Sequence, residues 1–323
     1  MEKIMEGSKR KQRKGLLSGY SKIEKKRLPF VALLLAFPII QFLIFYVYIN
    51  VDSFILAFTN RRGEFDTHYL ETMLNRFTAV GDNNLWNSLG RSFAQWCVSM
   101  FFNFPVSILF TYALFKHVKG EMFFRVLFYL PGIIGSVVFG VVYKYLLAAN
   151  GPIVEILVRA GWASEELAFH GLLRTASTAF GSVNVFGIWL ALGGNIVILT
   201  GAMTRIPTEI FESASLEGAG VVREFFQLVL PLIWPTLSTL LIYQLGSVST
   251  FDFGTYLLYG EGGVNYPVQT MGYYLFLMTY NVARGVEVAN APAALGVILT
   301  AFTVPVVLLL RWVIEKFSDK VEF

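Results

Sequence analysis

A single cysteine, Cys97, has no partner within the chain, so no disulfide framework holds this fold together. The three histidines, His68, His117 and His170, fall in separate stretches with neither metal-ligand spacing nor a catalytic constellation around them. No phosphate-cradling G-x-x-x-x-G-K-[ST] loop is present, and Gly is nowhere followed by Lys, so the chain carries no such nucleotide loop of its own. Charge is scarce above all. Asp, Glu, Lys and Arg make up 15% of 323 residues, against about 25% in a soluble domain. Length alone would allow about two soluble domains, but so few charges could not cover them. Disorder is excluded as well, because 55% of the residues are apolar and 30 are phenylalanine.

What is present is a set of long apolar runs. A helix needs about 20 mostly apolar residues to cross the hydrocarbon core. Six stretches qualify, at 30–50, 92–115, 126–143, 184–203, 225–248 and 294–310, and none contains Asp, Glu, Lys, Arg or His. The runs are continuous rather than alternating, which excludes a strand-built barrel. The expected fold is therefore an all-α membrane protein of six transmembrane helices. The third run is short, with Arg125 and Lys144 at its ends. The first follows a basic tail, but it is too long for a signal peptide and no small-residue cleavage site follows, so it reads as a retained anchor bent at Pro38. Pro231 and Pro235 are expected to kink the start of the fifth span.

Lys and Arg are unevenly divided among the connections. Segments 1–29, 116–125, 204–224 and 311–323 hold 18, and the opposite set holds 8. Excess Lys and Arg marks the cytoplasmic side, so both termini are expected to be cytoplasmic. The net charge of +4 is thereby an orientation signal rather than a nucleic-acid site. The expected organisation is a basic tail at 1–27, a six-span domain at 28–316 and a short tail at 317–323.

The external loops carry recognisable punctuation. Asp82-Asn83-Asn84 is a turn signal before Trp86, an interfacial anchor. Asn150-Gly151-Pro152 opens a short helix, capped by Asn150 and ended by Gly161, with Ile153, Ile156, Leu157 and Ala160 on its apolar face. Gly260-Glu261-Gly262-Gly263 reads as a flexible turn. Tyr266, Tyr273, Tyr274 and Tyr280 form either an aromatic rim near a substrate entrance or an interfacial belt.

The cytoplasmic loop at 204–224 is the most informative segment. Pro207 and Glu209 suit a helix N-terminus. Ile210, Ala214 and Gly218 fall on one face with Phe211 beside them, and Glu212 and Glu217 supply acids for a basic partner. Gly218 and Gly220 turn the chain back toward the membrane. A helix lying on the bilayer is the competing reading, and the three acids count against it because anionic headgroups repel them.

This loop resembles the E-A-A-x3-G-x9-I-x-L-P motif of the permeases of ATP-binding-cassette importers. It reads Glu212-Ser213-Ala214, three residues, Gly218, nine residues, then Leu228-Val229-Leu230-Pro231. Spacing is kept throughout, with Ser213 and Leu228 as departures. Other segments resemble the sugar-permease branch of maltose-transporter type: Leu85-Trp86-Asn87-Ser88-Leu89, Phe124-Arg125 through Leu130-Pro131, and Phe251-Asp252 followed by Gly262-Gly263 and Thr270. Val264 stands where that branch has proline. Pro292-Ala293-Ala294-Leu295-Gly296 matches its small-residue entry to the last span. The resemblance covers residues 28 to 316.

It implies a type I importer permease fold, with Phe211, Glu212, Ser213, Ala214, Glu217 and Gly218 coupling to a cytoplasmic ATPase dimer. ATP and Mg would be bound on that partner, and no cofactor on this chain. A second, homologous permease, an external solute-binding protein meeting 151–162 and 261–282, membrane lipid and a carbohydrate are the further partners implied. The location would be the plasma membrane of a prokaryote. Within the bundle, Asn195, Gln244 and Ser247 are candidates for the substrate path or for helix-to-helix bonds. Gln41, Gln95 and Asn103 read as helix-to-helix contacts. A permease for amino acids or peptides is the runner-up. A cation-coupled carrier is a weaker alternative, since the spans lack the ionisable groups that proton coupling needs.

Overall fold

In the computed structural model, residues 22–79 and 84–318 are described. The Asp82-Asn83 half of the expected turn, the tail up to residue 21 and the last five residues lie outside them. The chain divides into two compact units, Met1–Leu56 and Ala57–Phe323.

The first unit is helical from Lys22 onward. The helix Lys22–Phe42 runs on through Pro38, widens into a π-helical turn at Leu43–Tyr48 and resumes at Ile49. Its irregularity is thus C-terminal to the expected position. At the end of that widened turn the Tyr46 carbonyl accepts from both the Ile49 N–H and the Asn50 side-chain amide.

The second unit is helical too. Its described residues show only an isolated bridge, between Thr59 and Phe65. Leu85–Phe115, Ala176–Met203 and Asn290–Ile314 are unbroken apolar helices long enough to span, as is Leu33–Ala57 nearer the N-terminus. The third and fifth expected spans are each broken in two. Glu121–Ile134 meets Ser136–Leu146 at 112°, and Val221–Leu232 meets Trp234–Gly246 at 71°. Counting each bent pair as one crossing gives six.

Both breaks have local causes. Gly135 takes φ +91, open to glycine and rarely to other residues. Upstream of it, Pro131 leaves the Leu127 carbonyl without its i+4 donor, and the Trp189 indole N–H supplies a replacement at 3.1 Å from the fourth span. In the fifth span Pro235 lacks an N–H and crowds the carbonyl four residues earlier, so Ile233 leaves helical geometry at φ −92, ψ 3. The expected kink is present and falls between the two prolines.

The second span carries a feature hidden in the apolar run. Ser88, Ser92, Gln95, Ser99, Asn103, Ser107 and Thr111 are all buried. Their spacing of three or four residues puts them on one face. Small polar residues let neighbouring backbones approach closely. Ser92 Oγ donates to the Phe251 carbonyl at 2.8 Å, and Gln95 Oε1 accepts from Phe253 N–H at 3.0 Å. Gln95, expected to bond one helix to another, ties its helix to the connection at Phe253 instead. Asn103, expected to do the same, has no side-chain hydrogen bond although it is fully buried.

Candidate functional site

The three polar residues singled out in the spans converge. Asn195, Gln244 and Ser247 line one cavity of about 420 Å³, together with Ser99, Tyr243 and Phe251. Gln244 and Ser247 are three residues apart on the fifth helix, so both present to the same side. The Gln244 amide donates to Ser99 Oγ, and the Asn195 amide reaches Ser107 Oγ at 3.4 Å. Ser247 Oγ donates to the Gln244 carbonyl at 2.8 Å, and that carbonyl also accepts the Trp96 indole N–H at 2.9 Å. These groups bond helices to one another and also border open space. Tyr243, 81% exposed, offers a ring to that space. The lining is mostly apolar, with Phe104, Leu190 and Leu240, and carries a few amide and hydroxyl groups on Asn195, Gln244, Ser99 and Ser247, the usual make-up of a small-solute site.

Asp252 also borders the cavity, yet its carboxylate faces its own backbone. It accepts from Gly254 N–H and Thr255 N–H, each at 2.9 Å, and from the hydroxyls of Thr255 and Thr270 at 2.5 and 2.7 Å. The bond from Thr270 joins the two ends of the Phe251-Asp252 to Thr270 stretch. Thr270 in turn caps the helix Met271–Ala283 by accepting from Tyr273 N–H. The adjoining wall depends on one close approach: a Cβ on Gly187 would lie 2.0 Å from the Phe253 ring.

The Gly260–Asn265 segment is not the flexible turn its glycines suggested. It forms a 3-10 turn pinned by Tyr273, whose hydroxyl accepts from Gly263 N–H at 3.0 Å and donates to the Gly260 carbonyl at 2.7 Å. Tyr273 is 1% exposed, so it belongs to the core rather than to a rim. Burial pushes its hydroxyl up to about 12. Burial also raises Tyr274, while Arg76 beside it pulls the other way. Tyr280 packs against Phe276 and Tyr256 nearby, with Arg284 over its ring. The short helix at Pro152–Arg159 forms as the sequence suggested, but its cap is Gly151 rather than Asn150. Its inward residue is Val154, which is fully buried, while Ile156 points outward. The sequence stripe was a residue or two out of phase, because Val154 was left off it.

The loop at 204–224 forms a helix at Thr208–Leu216, capped by Pro207 with Glu209 in its first turn. Its faces are divided differently from the sequence reading. Ile210, Phe211 and Ala214 pack inward. Phe211 lies 5.4 Å from the Phe115 ring, and Ala214 is buried. Ile210 and Phe211 adjoin a core that includes Phe104, Tyr112, Phe225 and Ile233. The bulky-plus-small face therefore anchors the loop to its own chain. Glu212, Ser213 and Glu217 are exposed, and Leu216, 91% exposed, stands among them. Leu216 was not foreseen. Gly218 takes φ +75 with open space around it, ending the helix in the left-handed conformation.

The spans and the comparisons with known proteins agree on the class. The fold superposes on a chain of the bacterial alginate ABC transporter, crystallised with an alginate pentasaccharide-bound periplasmic protein. The TM-score is 0.72 at 20% identity, covering 92% of this chain and 97% of that one. No family model matches the chain. In sequence, it is 28% identical over 214 residues to the probable ABC transporter permease protein YesP of Bacillus subtilis, covering 66% of this chain and 67% of that protein. The chain is thus similar in sequence to ABC transporter permeases over about two thirds of its length, and it has the fold of the alginate transporter's membrane chain, with apolar helices for up to six crossings. Among its relatives, it is also 26% identical over 232 residues to the probable starch degradation products transport permease AmyD of Thermoanaerobacterium thermosulfurigenes, covering 70% of this chain and 75% of that protein.

Proposed function

We propose that the chain forms half of the translocation path of an ATP-driven, binding-protein-dependent carbohydrate importer. The observation that carries this reading is the convergence of Asn195, Gln244 and Ser247, with the Tyr243 and Phe251 rings, on one cavity. The comparisons support it, since AmyD is a probable permease for starch degradation products and the alginate transporter handles a polysaccharide. A second permease completes the path, and an external solute-binding protein delivers the saccharide to the outer loops at 151–162 and 261–282. ATP and Mg belong to a cytoplasmic ATPase dimer, with no cofactor on this chain. Both termini face the cytoplasm, following the excess of Lys and Arg.

The stroke enters through the loop at 207–220. Glu212, Ser213, Leu216 and Glu217 meet the ATPase, while Phe211 and Ala214 hold the helix to the bundle. Gly218 sets the exit angle. A side chain there costs about 1–2 kcal/mol because left-handed geometry brings Cβ against the following carbonyl. The test is Gly218→Val in the reconstituted transporter. Saccharide uptake and substrate-stimulated ATP hydrolysis should both fall sharply while the spans stay folded. Unchanged uptake would refute the coupling role of the loop.

A further inference from the structure

Where the loop helix meets the bundle, one cation touches three elements. Lys116 Nζ lies 2.6 and 2.8 Å from the two carboxylate oxygens of Glu224. The same ammonium sits 5.0 Å from the centroid of the Phe211 ring. Tyr112 donates to the Glu224 carboxylate at 3.0 Å, and its ring packs on Phe225 at 4.9 Å. Tyr112 lies in the last turn of the second span and Lys116 just beyond it. Glu224 begins the fifth span, and Phe211 is on the loop helix. Glu224 is 7% exposed. Removing one partner of such a buried pair leaves the other charge uncompensated.

We propose that the Lys116–Glu224 pair, with Phe211 stacked on its ammonium, is the joint that passes movement of the loop helix into the second and fifth spans. This rests on the reading of the loop as receiver of the ATPase stroke. The ion pair with its hydrogen bonds holds the end of the second span and the start of the fifth in one fixed geometry. The loop helix joins them through the Phe211 ring, which the ammonium and the Phe115 ring both face. The core under the joint contains Ile233, where the fifth span bends. It also contains Phe104 and adjoins Leu240, both of which line the cavity. A contiguous packed route thus connects the joint to the kink and to the substrate space. Lys116, Glu224 and Tyr112 are positioning residues, since none lines the cavity.

The test uses the complete transporter in lipid vesicles and reads saccharide molecules moved per ATP hydrolysed. Lys116→Met and Glu224→Gln should each lower that ratio about fivefold or more, with hydrolysis largely retained. The double exchange K116E/E224K should recover most of it. Tyr112→Phe keeps both charges and the ring, so assembly is undisturbed, and it should lower the ratio about twofold. An unchanged ratio in Tyr112→Phe and Glu224→Gln would overturn the joint. So would uptake and hydrolysis falling together in step with the amount of assembled complex, as a merely structural role would give. Wild-type uptake without ATP hydrolysis would instead contradict the proposed function, and with it the joint.

Discussion

Tyr273 shows how much one buried hydroxyl can organise. It holds both ends of the Gly260–Asn265 turn and is itself held by the Thr270 cap. Tyr273→Phe leaves the ring in place and strips the turn of two hydrogen bonds, a loss of about 1–3 kcal/mol. Thermal unfolding of the detergent-solubilised protein should register it. The hydroxyl titrates near 12 when folded, above its ordinary value of 10. A raised value means that the folded state holds the proton more tightly than the unfolded state. The contribution of Tyr273 is therefore complete below pH 10 and lost as pH rises toward 12. Amide exchange of the turn should accelerate across that window in the wild type and much less in Tyr273→Phe. Gly187 is the steric counterpart. Gly187→Ala drives a methyl into the Phe253 ring, an overpacking cost of about 1–3 kcal/mol. Because Phe253 forms part of the cavity wall, the KM for uptake should change as well.

At the scale of elements, the loop helix has two separable faces. Leu216 stands free, and surface substitutions usually move stability by less than about 0.5 kcal/mol. Leu216→Asp should therefore leave the permease folded yet reduce the amount of ATPase subunit that co-purifies with it. Ala214→Asp should lower stability itself, by burying a carboxylate in the loop-to-bundle contact. If both variants lose the ATPase without loss of stability, the assignment of faces is wrong. The sequence contained the loop helix, its boundaries and its acids, because motif spacing and helix punctuation are local. It did not contain the direction in which the helix faces. Ile210, Phe211 and Ala214 look like a docking stripe until Phe115 and Lys116 are brought beside them, and that meeting depends on tertiary contacts some 95 residues apart. The same holds for Glu224. It reads as one more surface acid until Lys116 and Tyr112 close over it.

For the whole molecule, the span count was legible, as was the shared face of Gln244 and Ser247, whereas the meeting of Asn195 with them was not. Continuous apolar runs without charge gave six crossings, and the scarcity of polar residues within them made Asn195, Gln244 and Ser247 conspicuous. The breaks were half legible. Pro235 announces the bend at Ile233, whereas the 112° break at Gly135 depends on a glycine conformation that composition does not reveal. The seam of buried serines on the second span was masked because hydropathy averaging absorbs small hydroxyls. These features meet in one claim, that ATP hydrolysed by a separate subunit moves a saccharide through the cavity beside Gln244. The direct measurement is uptake of labelled oligosaccharide by vesicles containing this chain with its partner permease, ATPase and binding protein. The expected result is uptake that requires ATP inside the compartment corresponding to the cytoplasm, and that falls at least about tenfold in Gln244→Leu with the complex intact, a change of about 1.4 kcal/mol. Uptake that persists without the ATPase subunit, or that follows a proton or sodium gradient, would contradict it.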